Sequence, residues 1–358
     1  MRTLYILLGD SLDRQVVEAL CARQPPEALS PWAPRLCLKC LLCERDLHGD
    51  GWLNVMLFGL DVQGCRHSRG AQQESMRSEL LDPSQRVSQL VKMALSSNIT
   101  STFERIHIQL HSGLWDLYGL SGCRAAPRLL GSGDSYPREW LAASERNLLQ
   151  PVFAAIGDSP ATSRSKVQQP LMWRTLPFTC RRFADNQDVS ALVASISSMG
   201  SLLACRSGLI ISDWRAVACR TMRQSIHLTD DAVHYTTNSS AKFALASRQA
   251  AARVEASVHS GNNKNVVGTA CSEFPPTADA DAAISRAAST LEHGKGWTAA
   301  SCECERCDNF YLVLPAMTRL PRVDAWSLAG RSCSGSLNAT VLQRKAGVNY
   351  PYQFVRAM

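Results

Sequence analysis

The segment from Leu4 to Leu20 constrains the fold more than any other part of this 358-residue chain. An apolar run ends at Gly9, Asp10 and Ser11 follow, and apolar residues then recur at a spacing of three and four. Apolar runs closed by a turn residue are typical of buried strands, and the later spacing is typical of a helix. Ser11 is therefore predicted to open a helix directly after a strand, where backbone N–H groups and the helix dipole favour negative charge.

The Gly-Asp-Ser triplet has two interpretations. Ser11 is either a nucleophile or, together with Asp10, a helix cap, because both side chains accept hydrogen bonds from first-turn amides. A serine nucleophile needs a base, and the base needs an acid that orients it. The segment Asp231-Ala-Val-His234 can supply both from one turn, with Asp230 as the competing acid. The alternative for His234 is a surface histidine in a turn.

Apolar runs alternate with helical patterns along much of the chain. Strands are predicted at about 3–8, 53–60, 105–111, 170–175 and 208–212, and helices at about 12–23, 34–47, 83–97, 138–156, 187–200 and 239–257. This alternation indicates an α/β fold with a parallel sheet covered on both faces. Ser11, Gly113, Arg174 and Asp213 all follow predicted strands. Reactive groups collect at the carboxyl ends of such strands, so these residues are expected to share a site.

Four short blocks, in this order, resemble the SGNH/GDSL hydrolases and within them the PC-esterase group, which includes trichome-birefringence-like and sialate O-acetyltransferase-like proteins. The blocks are Gly9-Asp10-Ser11 with Arg14 one helical turn on, Ser112-Gly113-Leu114-Trp115-Asp116, Trp173-Arg174-Thr175 and Asp231-Ala232-Val233-His234. The resemblance spans roughly residues 1–250. The chain departs from the family pattern at His111, where the family has Asn, and at Ala232, where it has Gly.

The resemblance implies a flavodoxin-like, three-layer αβα sandwich with a mainly parallel central sheet. This SGNH/PC-esterase-like domain is expected over residues 1–258, and a cysteine-containing C-terminal extension over 259–358. The resemblance also implies a catalytic triad in which Ser11 attacks an acyl carbonyl, His234 takes its proton and Asp231 orients His234.

The resemblance further implies an oxyanion hole, in which two or three donors stabilise the developing negative charge. The Ser11 amide is one donor, Gly59 or Gly64 supplies a second, and a group near Gly113 supplies a third. His111 is the side-chain candidate there, and its alternative is a structural histidine at a strand end. Arg174 is expected either to bind substrate or to form a structural ion pair with Asp116 or Asp213.

Three function hypotheses follow. The first is an O-acyl, by resemblance O-acetyl, esterase or O-acetyltransferase that forms an acyl-serine and needs no cofactor. Its expected partners are an acylated glycan or a small ester, with an acetyl donor for the transferase. The second is a catalytically inactive SGNH-like binding module, favoured by the departures at His111 and Ala232. The third is a zinc-stabilised interaction protein built around the cysteine-rich tail.

Composition narrows the partners and the location. The net charge is +7 without a run of five basic residues, which gives little support to nucleic-acid binding. No stretch approaches the roughly 18 apolar residues of a membrane span. The first strand begins almost at Met1, so no signal peptide is apparent. The expected location is the cytoplasm, or the secretory pathway including the Golgi lumen if a leader is missing from the chain.

The chain contains 14 cysteines, which fall partly into two clusters. Cys37, Cys40 and Cys43 lie at helical spacing among leucines, a pattern that predicts buried thiols, with a zinc knuckle as the alternative. Three further cysteines between 302 and 307 alternate with charged residues. These are predicted to be exposed, and disulfides are the main alternative to zinc there.

Overall fold

The computed structural model describes residues 2–22, 29–31, 40–65, 82–120, 123, 135–177, 189–220 and 234–260. The strands in these ranges are β1 Thr3–Gly9, β2 Leu29–Pro31, β3 Leu41–Cys43, β4 Gly51–Met56, β5 Arg105–Leu110, β6 Met172–Arg174 and β7 Ile210–Ser212. The helices are α1 Ser11–Cys21, α2 Pro83–Ala94, α3 Ser97–Thr100, α4 Leu114–Leu120, α5 Ser135–Ser144, α6 Gln150–Gly157, α7 Ala161–Arg164, α8 Val189–Arg206, α9 Trp214–Arg220 and α10 Thr237–Ser260. A 3₁₀ turn spans Val62–Gly64, and a π-helical turn spans Glu145–Leu149 between α5 and α6.

The strands form one mixed, mainly parallel sheet in the order β2-β3-β4-β1-β5-β6-β7. The five strands from β4 to β7 in this order are parallel, whereas β2 and β3 pair antiparallel at one side. The predicted α/β class with a mainly parallel sheet is therefore confirmed. Gly9 pairs with Met56, and Leu8 pairs with Leu110. The residues that follow β1, β4 and β5 consequently meet at one end of the sheet, here called the carboxyl edge.

The central strand β1 is buried on both faces, since Leu4 to Leu8 are at most 7% exposed. Parallel strands covered in this way read as continuous apolar runs, which is why the sequence marks β1 so clearly. Around the sheet, α1 packs against α10, and α2 packs against α6. Within the described residues, no helix combines the length and the apolar character needed to cross a bilayer.

Two disulfides link described residues, Cys21 to Cys43 and Cys65 to Cys123. Cys40 and Cys205 are disulfide-bonded as well. The predicted thiol state of Cys40 and Cys43 is therefore wrong. The predicted helix over 34–47 is also wrong in its described part, because residues 41–43 form β3 and pair antiparallel with β4. The bond from Cys43 to Cys21 joins this strand to the end of α1.

The predicted C-terminal extension, residues 259–358, is described only at its first two residues. The last described helix, α10, ends at Ser260, two residues beyond the predicted boundary at 258. The rest of the extension, including the cysteines between 302 and 307, lies outside the described residues.

Candidate active site

Ser11 and His234 are brought together at the carboxyl edge. Ser11 is the first residue of α1, and its Oγ lies 2.6 Å from Nε2 of His234, although 223 positions separate the two residues. This distance is within the range expected for a nucleophile and its base. With Nε2 unprotonated, the Ser11 hydroxyl donates to His234, which is the arrangement needed to remove the hydroxyl proton.

His234 is positioned by contacts between its chain neighbour and two helices. The backbone N–H of Tyr235 donates to Oε1 of Gln15 in α1 at 3.1 Å. The Tyr235 ring is buried and packs edge-on against Phe243 of α10, with ring centroids 5.0 Å apart. The predicted acid Asp231 and its competitor Asp230 lie outside the described residues.

Asp10, rather than Ser11, caps α1. Oδ1 of Asp10 accepts from the Leu12 N–H at 2.9 Å, and Oδ2 of Asp13 accepts from the Asp10 N–H at 2.9 Å. This reciprocal capping box leaves the Ser11 hydroxyl free to bond His234. The Ser11 N–H, at the first helical position, has no acceptor one turn back, so it can bind a ligand oxygen. Gly9 is required here because a Cβ would lie 2.0 Å from Oδ2 of Asp13.

A fully buried ionic cluster lies beneath this helix start and consists of Asp10, Asp13, His111 and Arg174. Arg174 forms a bidentate pair with Asp13, with Nε–Oδ1 and Nη2–Oδ2 distances of 3.0 and 2.6 Å. Its Nη2 also lies 3.1 Å from Oδ1 of Asp10. Because Arg174 has no exposed surface, the structure favours the structural ion pair over substrate binding. The partners are Asp13 and Asp10, not the expected Asp116 or Asp213.

Burial and mutual charge set the protonation of the cluster. Burial alone would raise the pKa of Asp10, but Arg174 and His111 hold it well below its usual range. Burial and the adjacent Asp10 raise the pKa of Asp13. Burial would lower the pKa of Arg174, but the two carboxylates outweigh it and raise that pKa. The guanidinium therefore stays charged and ties β6 to the start of α1.

His111 faces protein groups with both ring nitrogens. Nδ1 donates to the Arg174 carbonyl oxygen at 3.0 Å, and Nε2 lies 3.4 Å from Oδ2 of Asp10. Burial and the neighbouring Arg174 lower the pKa of His111. The ring is only 2% exposed. This geometry favours a structural histidine over the expected oxyanion donor.

The two glycine candidates for the oxyanion hole differ in their backbone amides. The Gly64 N–H already donates to the Asp61 carbonyl oxygen at 3.1 Å. For the Gly59 N–H, the described part of the chain provides no acceptor. Gly59 lies three residues after Met56, the partner of Gly9, so Gly59 and Ser11 follow neighbouring strands at the carboxyl edge. Of the two glycines, Gly59 is the better candidate donor.

Gly113 and Asp116 shape the neighbouring strand end. Gly113 has a φ of +153°, and a Cβ there would lie 2.9 Å from Cγ2 of Ile196, so both the backbone and the space require glycine. Asp116 is buried and accepts from the Leu60 N–H at 2.6 Å and from the Ser112 hydroxyl at 2.5 Å. Burial raises the pKa of Asp116 to about 6, against the lowering effect of these hydrogen bonds.

Sequence reasoning missed three polar residues that act at this edge, namely Asp13, Arg86 and Asn147. The spacing from Asp10 to Asp13 is that of a helix N-cap and its third residue, so a capping pattern could have identified Asp13. Arg86 and Asn147 lie in ordinary helical segments and carry no local signal. Among the described residues, no group of three His, Cys, Asp or Glu side chains is arranged to bind a metal ion.

The resemblance of the four sequence blocks stays a prediction, and the geometry of Ser11 and His234 carries the functional argument. No protein-family model, curated protein or solved structure matches this chain.

Proposed function

We propose that the protein is a serine-dependent O-acyl esterase or O-acetyltransferase that works through an acyl-serine. The single observation that carries this proposal is the 2.6 Å contact between Ser11 Oγ and His234 Nε2 at the start of α1. A helix start at the carboxyl edge of a parallel sheet is a favourable place for an attacking oxygen, because its amides and dipole favour negative charge.

In the first half of the reaction, His234 takes the Ser11 proton while Oγ bonds to the acyl carbon. The carbonyl oxygen becomes an oxyanion that accepts from the amides of Ser11 and Gly59, with Gly113 at the adjoining strand end. The tetrahedral species then breaks its bond to the leaving alcohol oxygen, which takes the proton from His234. Asp231 is the proposed acid that orients His234.

In the second half, His234 removes a proton from water or from a sugar hydroxyl, and that oxygen attacks the acyl-serine. Loss of Ser11 Oγ, which recovers its proton from His234, releases the acid or the new ester. The resemblance favours an acetyl group and a glycan as its bearer. The disulfides Cys21–Cys43 and Cys65–Cys123 support a glycan-rich setting such as the secretory pathway, because such bonds persist in oxidising compartments.

The proposed architecture is the three-layer αβα sandwich of SGNH hydrolases, followed by a C-terminal extension. Its support is the mainly parallel sheet with a central strand buried on both faces, and the two separate helix pairs α1–α10 and α2–α6. Helices on both faces are the usual cover of such a sheet.

The experiment is labelling with a fluorophosphonate, combined with hydrolysis of p-nitrophenyl acetate. Wild type should label at Ser11, and Ser11→Ala should abolish both labelling and hydrolysis. His234→Ala should lower kcat on the order of a thousandfold. Ser97→Ala is the matched control, because this exposed serine also opens a helix, and it should behave as wild type.

The inactive binding module is the second candidate. One observation favours it, namely that His111, at the position of the family Asn, is bound within the ionic cluster. Any oxyanion hole then depends on backbone amides. Wild type that neither labels at Ser11 nor hydrolyses any ester would overturn the enzyme proposal in favour of this module.

A further inference from the structure

The loop from Gly59 to Gly64 has an unusual backbone. Gly59, Asp61, Gln63 and Gly64 all have positive φ angles, at +90°, +55°, +52° and +75°. Two of these residues have side chains, for which such angles are unfavourable. Backbone of this kind persists only where surrounding structure enforces it, and it clusters at functional sites.

Three buried side chains from three different segments hold the start of this loop. Nη2 of Arg86, on α2, donates to the Gly59 carbonyl oxygen at 2.7 Å. Oδ1 of Asp116, on α4, accepts from the Leu60 N–H at 2.6 Å. Nδ2 of Asn147 donates to the Leu60 carbonyl oxygen at 3.0 Å. These three residues, here called the clamp, are at most 8% exposed.

The clamp satisfies every backbone polar group of Gly59 and Leu60 except one. Both carbonyl oxygens and the Leu60 N–H have buried side-chain partners. The Gly59 N–H is the group left without an acceptor in the described part of the chain. Asp116 also fixes the identity of the residue, because a Cβ at Gly59 would lie 2.8 Å from its Oδ1.

Asn147 reaches the loop from a helical irregularity. It lies in the π-helical turn Glu145–Leu149, inside the otherwise α-helical stretch from Ser135 to Gly157. Such turns are rare and are frequent at functional sites. The extra residue changes the direction of the side chains relative to a regular helix, and here Asn147 is turned inward to Leu60.

We infer that Arg86, Asp116 and Asn147 are positioning residues that fix the Gly59 N–H as an oxyanion donor. The inference rests on the proposed function and adds to it residues that do not touch the substrate. A donor that is fixed before the reaction costs no reorganisation when the oxyanion forms. Loosening it should weaken the transition state and leave ground-state binding almost unchanged.

Arg86→Met and Asn147→Leu test this inference, since each removes a donor while keeping much of the side-chain volume. Each should lower kcat for p-nitrophenyl acetate by roughly ten- to hundredfold with KM changed less than about threefold. Arg86→Lys keeps a donor and should recover part of the rate. Lys92→Met is the matched control, because Lys92 is a basic residue on the same helix whose ion pair with Asp158 is exposed.

A sulfur substrate provides a readout that a general loss of structure does not mimic. Replacing the carbonyl oxygen of the ester by sulfur weakens the hydrogen bonds that this atom accepts from the amides of the oxyanion hole. Wild type should therefore hydrolyse the oxygen ester much faster than the thiono-ester. In Arg86→Met and Asn147→Leu, the ratio of oxygen-ester to thiono-ester rates should fall towards one, whereas Lys92→Met should keep the wild-type ratio.

Hydrogen exchange on wild type tests the same inference without any variant. The Leu60 amide should exchange slowly and the Gly59 amide quickly. After fluorophosphonate labelling, the Gly59 amide should become protected, because the phosphoryl oxygen occupies the oxyanion position.

Three results overturn the inference while Ser11 labelling and ester hydrolysis remain intact. They are wild-type kcat in a folded clamp variant, an unchanged thiono-ester ratio, and no protection of Gly59 on labelling. A wild type that fails to label at Ser11 overturns the proposed function itself, so the two failures are distinguishable.

Discussion

The ionic cluster and the clamp are two buried polar groups beneath the same edge of the sheet, and they are built differently. In the ionic cluster, side chains bind mainly one another, as in the bidentate pair of Arg174 and Asp13. In the clamp, side chains bind backbone, as Arg86 and Asn147 do at Gly59 and Leu60. The first group joins a strand to a helix start, and the second fixes the path of a loop.

The two groups should therefore affect different properties, the ionic cluster stability and the clamp turnover. A buried charge left without its partner carries a large desolvation penalty, so the ionic cluster should dominate stability. A lost hydrogen bond to a loop backbone costs less free energy but moves the atoms of that loop. On the proposed function, the clamp should therefore dominate kcat.

The largest effect is expected for Arg174→Met. It leaves Asp10 and Asp13 buried without their cation and should reduce the free energy of unfolding by about 3–5 kcal/mol, measured by chemical denaturation. Adding Asp13→Asn should recover part of this loss because it removes one unpaired charge. Arg14→Met is the matched control, since Arg14 pairs with Glu18 at the surface of α1 and should change stability by less than about 1 kcal/mol. A loss in Arg174→Met no larger than that of the control would contradict the contrast.

The next effect is the pH dependence of Asp116. Its pKa of about 6 in the folded protein lies above the ordinary value of 3.8. The folded state therefore binds the Asp116 proton more tightly than the unfolded state does. Protonated Asp116 contributes stability that is fully present below about pH 4 and is lost as the pH rises through about 6. Asp116→Asn cannot titrate. Between about pH 4 and pH 7, wild type should therefore lose roughly 2–3 kcal/mol of unfolding free energy relative to Asp116→Asn. A difference that is flat with pH would show that Asp116 is not protonated in this way.

The smallest effect is expected for His111→Ala. It removes the donor to the Arg174 carbonyl and should cost about 1–2 kcal/mol of stability, with kcat within about threefold of wild type. An oxyanion donor would behave otherwise, since its loss lowers kcat roughly a hundredfold at nearly constant KM. His111→Asn serves as the control that keeps a donor at this position. A hundredfold loss of kcat in His111→Ala would transfer His111 from the structural group to the catalytic one.

The parallel strands were the most predictable part of the fold. Runs of mainly apolar residues identified β1, β4, β5, β6 and β7 to within a few residues, because strands buried on both faces need mostly apolar side chains. The segment around Cys43 was predicted as a helix and forms β3 instead. The spacing of its cysteines mimics a helical period, and the disulfide to Cys21 leaves no periodic trace in the sequence.

For the site, the sequence predicted the residues at strand ends better than the groups behind them. Ser11 and His234 could be proposed because each lies in a short block with a chemical logic. Arg86 and Asn147 could not, since a side chain that bonds a loop backbone from a distant helix has no local signature. The positive φ angle of Gln63 was equally absent from the sequence signal, because glutamine does not favour it, whereas Asp61 belongs to a residue type that adopts such angles more often.

The 223 positions between Ser11 and His234 have a consequence for the order of folding. All described strands end by Ser212, whereas His234 and the helix α10 that packs on α1 follow later in the chain. A long-range contact of this kind costs loop-closure entropy and tends to form late. During synthesis the sheet can therefore be complete while Ser11 still lacks its base. On the proposed function, reactivity of Ser11 towards a fluorophosphonate would then report the moment at which α10 docks, and the nascent chain would stay unreactive until its last described helix is in place.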